Sequence, residues 1–160
     1  MNIVLVTVVT CLLLFAICYI KTGTEEKNIA NLRSYPDDLQ EKIKKIDKYK
    51  DKIVEVSNVK IFISNLIVFS AILFALGLFI KEDNIIHNFL NILLIGQVVN
   101  AFDFLVIDML WWRNTKRIRF KNFEDKKLYQ DPKNHLESFL RGIFMFLLVA
   151  IYVSILLTIV

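Results

Sequence analysis

Two carboxylates and two amides sit in a stretch otherwise apolar enough for hydrocarbon. Residues 97–113 read Gln-Val-Val-Asn-Ala-Phe-Asp-Phe-Leu-Val-Ile-Asp-Met-Leu-Trp-Trp-Arg. An acidic side chain near a bilayer centre costs about 2.5–3.5 kcal/mol on insertion scales, so Asp103 and Asp108 mark a candidate functional site. Wound as an α-helix at about 100° per residue, Gln97, Asn100, Asp103, Asp108 and Trp111 fall within an arc of about 140°. The opposite face is Leu, Ile, Val and Phe. A one-sided polar stripe faces a helix bundle or water, not lipid.

Depth separates the two acids. Asp103 lies near the middle of the apolar run, where no lysine or arginine can reach it. Its expected partners are Asn100, Gln97 and hydroxyls such as Ser70 or Thr10. A carboxylic acid that gains and loses a proton there suits a transport path, and it equally suits a static hydrogen bond between helices. Asp108 lies about one turn from the end of the run. Arg141 enters a later apolar run at similar depth, so an Asp108–Arg141 ion pair is expected with Asn65 beside it; Arg113 is the rival partner.

A second concentration of chemistry follows at the edge of the run. Trp111, Trp112, Arg113, Arg117 and Arg119 lead into Asp125, Asp131, His135, Glu137 and Arg141. Arginines recognise phosphate in a bidentate manner, and Asp108, Asp125 and Asp131 could hold Mg²⁺ against phosphate oxygens. No other cofactor is expected. Asp108, His135 and Asp125 are the candidates for acid–base work. A phosphorylated lipid head group would meet the whole set. A positive belt with an aromatic girdle explains the arginines and tryptophans without any ligand, but not Asp108. His87 and His135 stand at opposite ends of the predicted bundle and cannot share one metal.

These residues need elements to hold them. Of the 160 residues, 56% are hydrophobic, concentrated in four runs, each with roughly the 17–25 residues that cross a hydrocarbon core. The predicted spans are 1–20, 61–80, 87–112 and 136–160, joined by a loop and charged amphipathic helix over 21–60, an external turn over 81–86 and a basic loop over 113–135. Residues 1–10 contain no lysine or arginine and no Ala-x-Ala-like cleavage site follows, so the first run reads as a retained span. The fold class is an all-α integral membrane protein, a four-transmembrane-helix bundle with a cytoplasmic helical extension before the second span. No large soluble core is expected. Nineteen of the twenty Lys and Arg residues lie in Lys21–Lys60 and Arg113–Arg141, which makes both basic segments cytoplasmic and both termini external.

Lys21–Ser34 reads as a polar loop. Pro36, Asp37 and Asp38 then start a helix. Its seam of Leu39, Ile43, Ile46 and Ile53 is expected to run toward the second span, packing on the second basic loop or the lipid surface, or docking another chain. Ile118, Phe120, Phe123 and Tyr129 interleave with the cations of that basic loop and suggest a membrane-apposed segment. Asp131-Pro132 has the form of a helix start. Cys11 and Cys18 are two turns apart on one helix and read as packing residues, with palmitoylation of Cys18 the minor alternative. There is no zinc pattern and no phosphate-binding glycine loop, and topology accounts for the positive charge without nucleic acid.

Three functions compete. The first is binding, with modification as an extension, of an anionic or phosphorylated lipid at the cytoplasmic interface. The second is an oligomeric proton- or ion-coupled transporter using Asp103, Asn100 and Gln97. The third is an accessory subunit of a larger membrane complex. The expected location is the plasma membrane, and the Ile, Lys and Asn content fits a bacterial genome rich in A and T.

Overall fold

The computed structural model describes residues 2–54 and 56–160. Its elements in chain order are α1 (Ile3–Ile20), α2 (Glu25–Ala30), α3 (Asp37–Lys44), α4 (Asp47–Lys50), α5 (Asn58–Gly77), α6 (Ile85–Phe102) and α7 (Lys133–Ile159). The α6 helix continues without a break as a π-helix over Asp103–Trp112. Apart from an isolated bridge between Phe120 and Phe123, the described residues form helix, turn and loop. Four helical stretches, α1, α5, α6 with its π extension, and α7, are long and apolar enough to cross a membrane. Side-chain oxygens fix where three of them begin: Asn2 accepts from Leu5 N at 2.9 Å, Ser57 from Lys60 N at 3.3 Å and Asn84 from Ile86 N at 2.8 Å. At the fourth, Asp131 accepts from Lys133 N at 3.0 Å, one residue before the helix starts after Pro132.

The bundle is organised around α7, which packs along α6 and α5, while α1 lies against α6. The inner face of α7 reads Gly142, Met145, Phe146, Val149, Ala150, Val153 and Leu157, alternating spacings of three or four with neighbours one apart. That repeat keeps one seam turned inward. Two glycines allow close approach: a Cβ at Gly96 would lie 2.7 Å from the Phe146 ring, and one at Gly142 would lie 2.1 Å from Asn100 Oδ1. The outward faces of these helices are mostly Leu, Ile, Val and Phe.

The connecting segments overturn the expectation of no second core. Residues 21–54 and 113–132 fold on each other into a lobe at one end of the bundle. Its interior holds Tyr35, Tyr49, Trp112, Phe120 and Tyr129 with Leu39, Ile43 and Ile118. Burying such a side chain contributes about 1.5–3 kcal/mol. Each segment alone looks too polar to form a core; together they make one. The membrane-apposed reading of residues 113–135 is corrected accordingly, since Ile118, Phe120 and Tyr129 are buried in the lobe and not laid on a lipid surface.

The long amphipathic helix is also corrected. The chain turns at Ile46, whose backbone is extended, and again after Lys50, so α3 and α4 are separate and neither runs into α5. In one continuous helix Tyr49 would point about 120° away from Ile43. The break lets Leu39, Ile43 and Tyr49 share one interior. The two buried tyrosine hydroxyls inside the lobe are matched: Tyr35 donates its hydroxyl to Ile118 O at 2.8 Å, and Tyr129 donates to Phe123 O at 2.7 Å while accepting from Phe120 N at 3.1 Å. Lys133 pairs with Asp37 at 2.8 Å and Asn134 donates to Tyr35 O at 2.6 Å, tying the lobe to the first turn of α7.

Candidate functional site

The π-wound segment begins at Asp103 and carries both acids. In π winding the backbone bonds run from i to i+5, as where Arg113 N donates to Asp108 O at 3.3 Å, so residues five apart stack along one face. The phase expected from α winding therefore fails beyond Phe102. Asp103 opens this segment and Asp108 follows five residues on, so the change of winding alters the phase between the two acids. π-helical turns are rare and occur often at functional sites.

Asp108 does not pair with Arg141 or Arg113. Its Oδ1 lies 3.0 Å from His135 Nδ1, with only 15% of the Asp108 side chain and 5% of the His135 side chain exposed. The reason is helical phase. His135 faces inward from the first turn of α7, and Arg141, six residues on, is turned about 120° away. There Arg141 is exposed and lies 3.6 Å from Glu137. In this contact Nδ1–H donates to the Asp108 carboxylate oxygen. The ring's Nε2 is buried without a hydrogen-bond partner among the described residues, and Trp112 stands edge-on to the ring at 4.7 Å. Sequence spacing placed His135 at the interface but did not connect it to Asp108.

The rest of the stripe is spent on helix contacts. Gln97 donates to Ile143 O and Asn100 to Phe139 O, both at 3.1 Å, so the two amides grip the α7 backbone beside Gly142. Asn65, expected next to Asp108, is instead on the exposed face of α5. Trp111 packs on Phe15 of α1 at 5.3 Å, whereas Trp112 turns into the lobe against Tyr35 at 4.8 Å.

The three arginines diverge. Arg113 donates to Gln130 O and to Met109 Sδ, and Gln130 returns a bond to Arg113 O at 2.9 Å. Arg119 donates to Glu124 O at 3.1 Å and Asn114 O at 3.5 Å. Arg117 donates to Tyr19 O at the end of α1, at 3.2 and 3.3 Å, with its guanidinium 4.0 Å from the Tyr19 ring centroid. Gly23, at φ 103°, gives that guanidinium its space; a Cβ there would be 2.4 Å from Arg117 Cζ.

Arg117 and Arg119 line one wall of a cleft of about 420 Å³, with Lys116 and Lys121 beside them and Gly23, Thr24, Glu25 and Asn28 opposite. Four cations face one acid. Glu25 is itself bonded to Lys48 at 2.8 Å, which holds its carboxyl below the usual carboxylate range. Asn28 donates to Arg117 O at 3.1 Å and fixes the two walls together. Residues 23–28 escaped sequence reading, although Thr24 followed by Glu25 and Glu26 is the signature of a helix start, and Thr24 does cap α2.

Asp125 and Asp131 serve as caps, accepting from Lys127 N at 2.9 Å and Lys133 N at 3.0 Å. Among the described residues no three His, Cys, Asp or Glu side chains gather as a metal site. No protein-family model matches the chain, and no curated protein or solved structure matches it.

Proposed function

We propose that the protein binds an anionic, phosphate-bearing lipid head group in the basic cleft, on the cytoplasmic face of the membrane it spans. One observation carries this reading: Lys116, Arg117, Arg119 and Lys121 converge on a cleft of head-group size beside a single, already paired acid. Arginine forks and lysine ammonium groups together suit phosphate oxygens. The position of the cleft supports a lipid rather than a free solute. Arg117 is anchored to Tyr19 at the end of the apolar α1, so the cleft adjoins the membrane edge. The placement of nineteen of twenty cations in Lys21–Lys60 and Arg113–Arg141 supports the cytoplasmic assignment. The polar amides of Gln97 and Asn100 are engaged with α7, which favours this reading over a path along the polar stripe.

Native mass spectrometry of the protein extracted from its own membrane tests the proposal, comparing wild type with Lys116→Gln/Lys121→Gln. These two side chains line the cleft without a hydrogen bond or ion pair among the described residues. A retained phosphate-bearing lipid that is lost in the double variant is the expected result. The same lipid complement in both proteins, or none in either, sinks the head-group reading.

A further inference from the structure

None of the four cations of the cleft meets a carboxylate among the described residues. Arg117 donates to Tyr19 O, and Arg119 donates to Glu124 O and Asn114 O, all of them backbone carbonyls. Arg119 also keeps its Nε buried without a hydrogen-bond partner among the described residues. The acid of the cleft, Glu25, is held by Lys48 at 2.8 Å. The rest of that wall is occupied with the fold of the lobe. Asn28 donates to Arg117 O at 3.1 Å and accepts from Gly23 N at 3.3 Å, and Thr24 accepts from Lys27 N at 3.3 Å. The cleft therefore offers positive charge and N–H donors, and few free acceptors.

That balance discriminates among phosphate lipids. A phosphodiester brings a single negative charge to four cations. Hydroxyls or an ammonium esterified beyond its phosphate would need acceptors or an anion that the opposite wall has already spent. A phosphate monoester brings about −1.5 to −2 charge at pH 7 and three acceptor oxygens, each able to take N–H bonds from ammonium and guanidinium groups. We propose, on the basis of the head-group reading, that the lipid held in this cleft ends in a terminal phosphoryl group with nothing esterified beyond it. Lys116 and Lys121, the two cations with no bond among the described residues, supply the preference over phosphodiester lipids.

The full chain in detergent is offered an equimolar mixture of dioleoyl phosphatidic acid and dioleoyl phosphatidylglycerol, which share their tails and differ in the head group alone. Native mass spectrometry reads both bound populations. Wild type should retain phosphatidic acid over phosphatidylglycerol by about 10-fold or more, the size of one added hydrogen bond to a charged group. Lys116→Gln/Lys121→Gln should lose phosphatidic acid down to the level of phosphatidylglycerol. Lys42→Gln/Lys45→Gln removes the same charge from exposed lobe positions outside the cleft and should leave the preference unchanged. Equal retention of the two lipids by wild type, with both lost in the cleft variant, overturns the terminal-phosphoryl preference and leaves the head-group reading standing. An equal fall in both variants makes net charge the cause and also overturns the preference. Retention of neither lipid, retention indifferent to the cleft variant, or displacement of phosphatidic acid by an equal concentration of glycerol 3-phosphate, which would assign the cleft to a water-soluble phosphate, overturns both.

Discussion

The bundle and the lobe solve the same packing problem with different residues. The bundle interior is mainly aliphatic, with Val6, Leu73, Ile92, Ile95, Val99 and Val153 beside Phe146 around one seam of α7. The lobe interior is half aromatic; the Tyr35 hydroxyl donates to Ile118 O of the opposing segment, and the Tyr129 hydroxyl bonds Phe123 O and Phe120 N within its own. Helices long and apolar enough to cross a membrane present apolar surface outward as well as inward, and the bundle's specific contacts are the close approaches at Gly96 and Gly142 and the amides of Gln97 and Asn100. In water, burial itself assembles the lobe, and large rings supply the most area per residue. The Asp108–His135 pair sits where the two regimes meet.

Substitutions should therefore divide by region. The largest effect is expected from Phe120→Ala, which empties a fully buried position in the lobe and costs about 3–5 kcal/mol. Hydrogen exchange should show lost protection over residues 29–49 with the four long helices still protected; simultaneous loss in α7 would erase the distinction between the regions. Gly142→Ala acts on the bundle instead. Its Cβ drives Asn100 from its seat and should cost about 1–3 kcal/mol in detergent melts, and Asn100→Ala in the same chain should recover part of that loss. Tyr35→Phe keeps the ring but strips Ile118 O of its donor, at about 1–3 kcal/mol, again confined to the lobe.

The smallest effect concerns pH. Asp37 is held below its usual range first by the Lys133 hydrogen bond and then by Asn134, and Glu25 first by Lys48. A carboxylate depressed in the folded state adds stability above its unfolded pKa and loses it as pH falls through the folded value. Acidification from about pH 5 to pH 2 should thus loosen the lobe while leaving the bundle unchanged, by at most a few tenths of a kcal/mol per exposed pair. Asp37→Asn should flatten that part of the profile in a fluorescence titration of Trp112.

The comparison also shows what a sequence reveals. Four apolar helices were legible because lipid demands long uninterrupted runs, and Asp131-Pro132 marked the α7 start to within a residue. The lobe was hidden because its core is divided between two charged segments, and no periodicity within either announces the other. Leu39 and Ile43 formed a visible seam, but Tyr35 lies before the helix start at Pro36 and Tyr49 beyond the break at Ile46. At the candidate site, Asp108 and His135 were each picked out, yet their pairing depends on π winding and on the inward turn of His135. Neither is encoded in spacing at 3.6 residues per turn.

The division of the lobe core also imposes a schedule. Tyr35 meets Ile118 across 83 residues, and a ribosome adding about 5–20 residues per second needs roughly 4–17 s to supply that distance. During this interval the nascent first half of the lobe displays aromatic and aliphatic side chains with nothing to cover them, while two further helices are still being made. Chains stalled before Trp112 should accordingly be cut by protease within residues 35–50, and chains released at full length should resist.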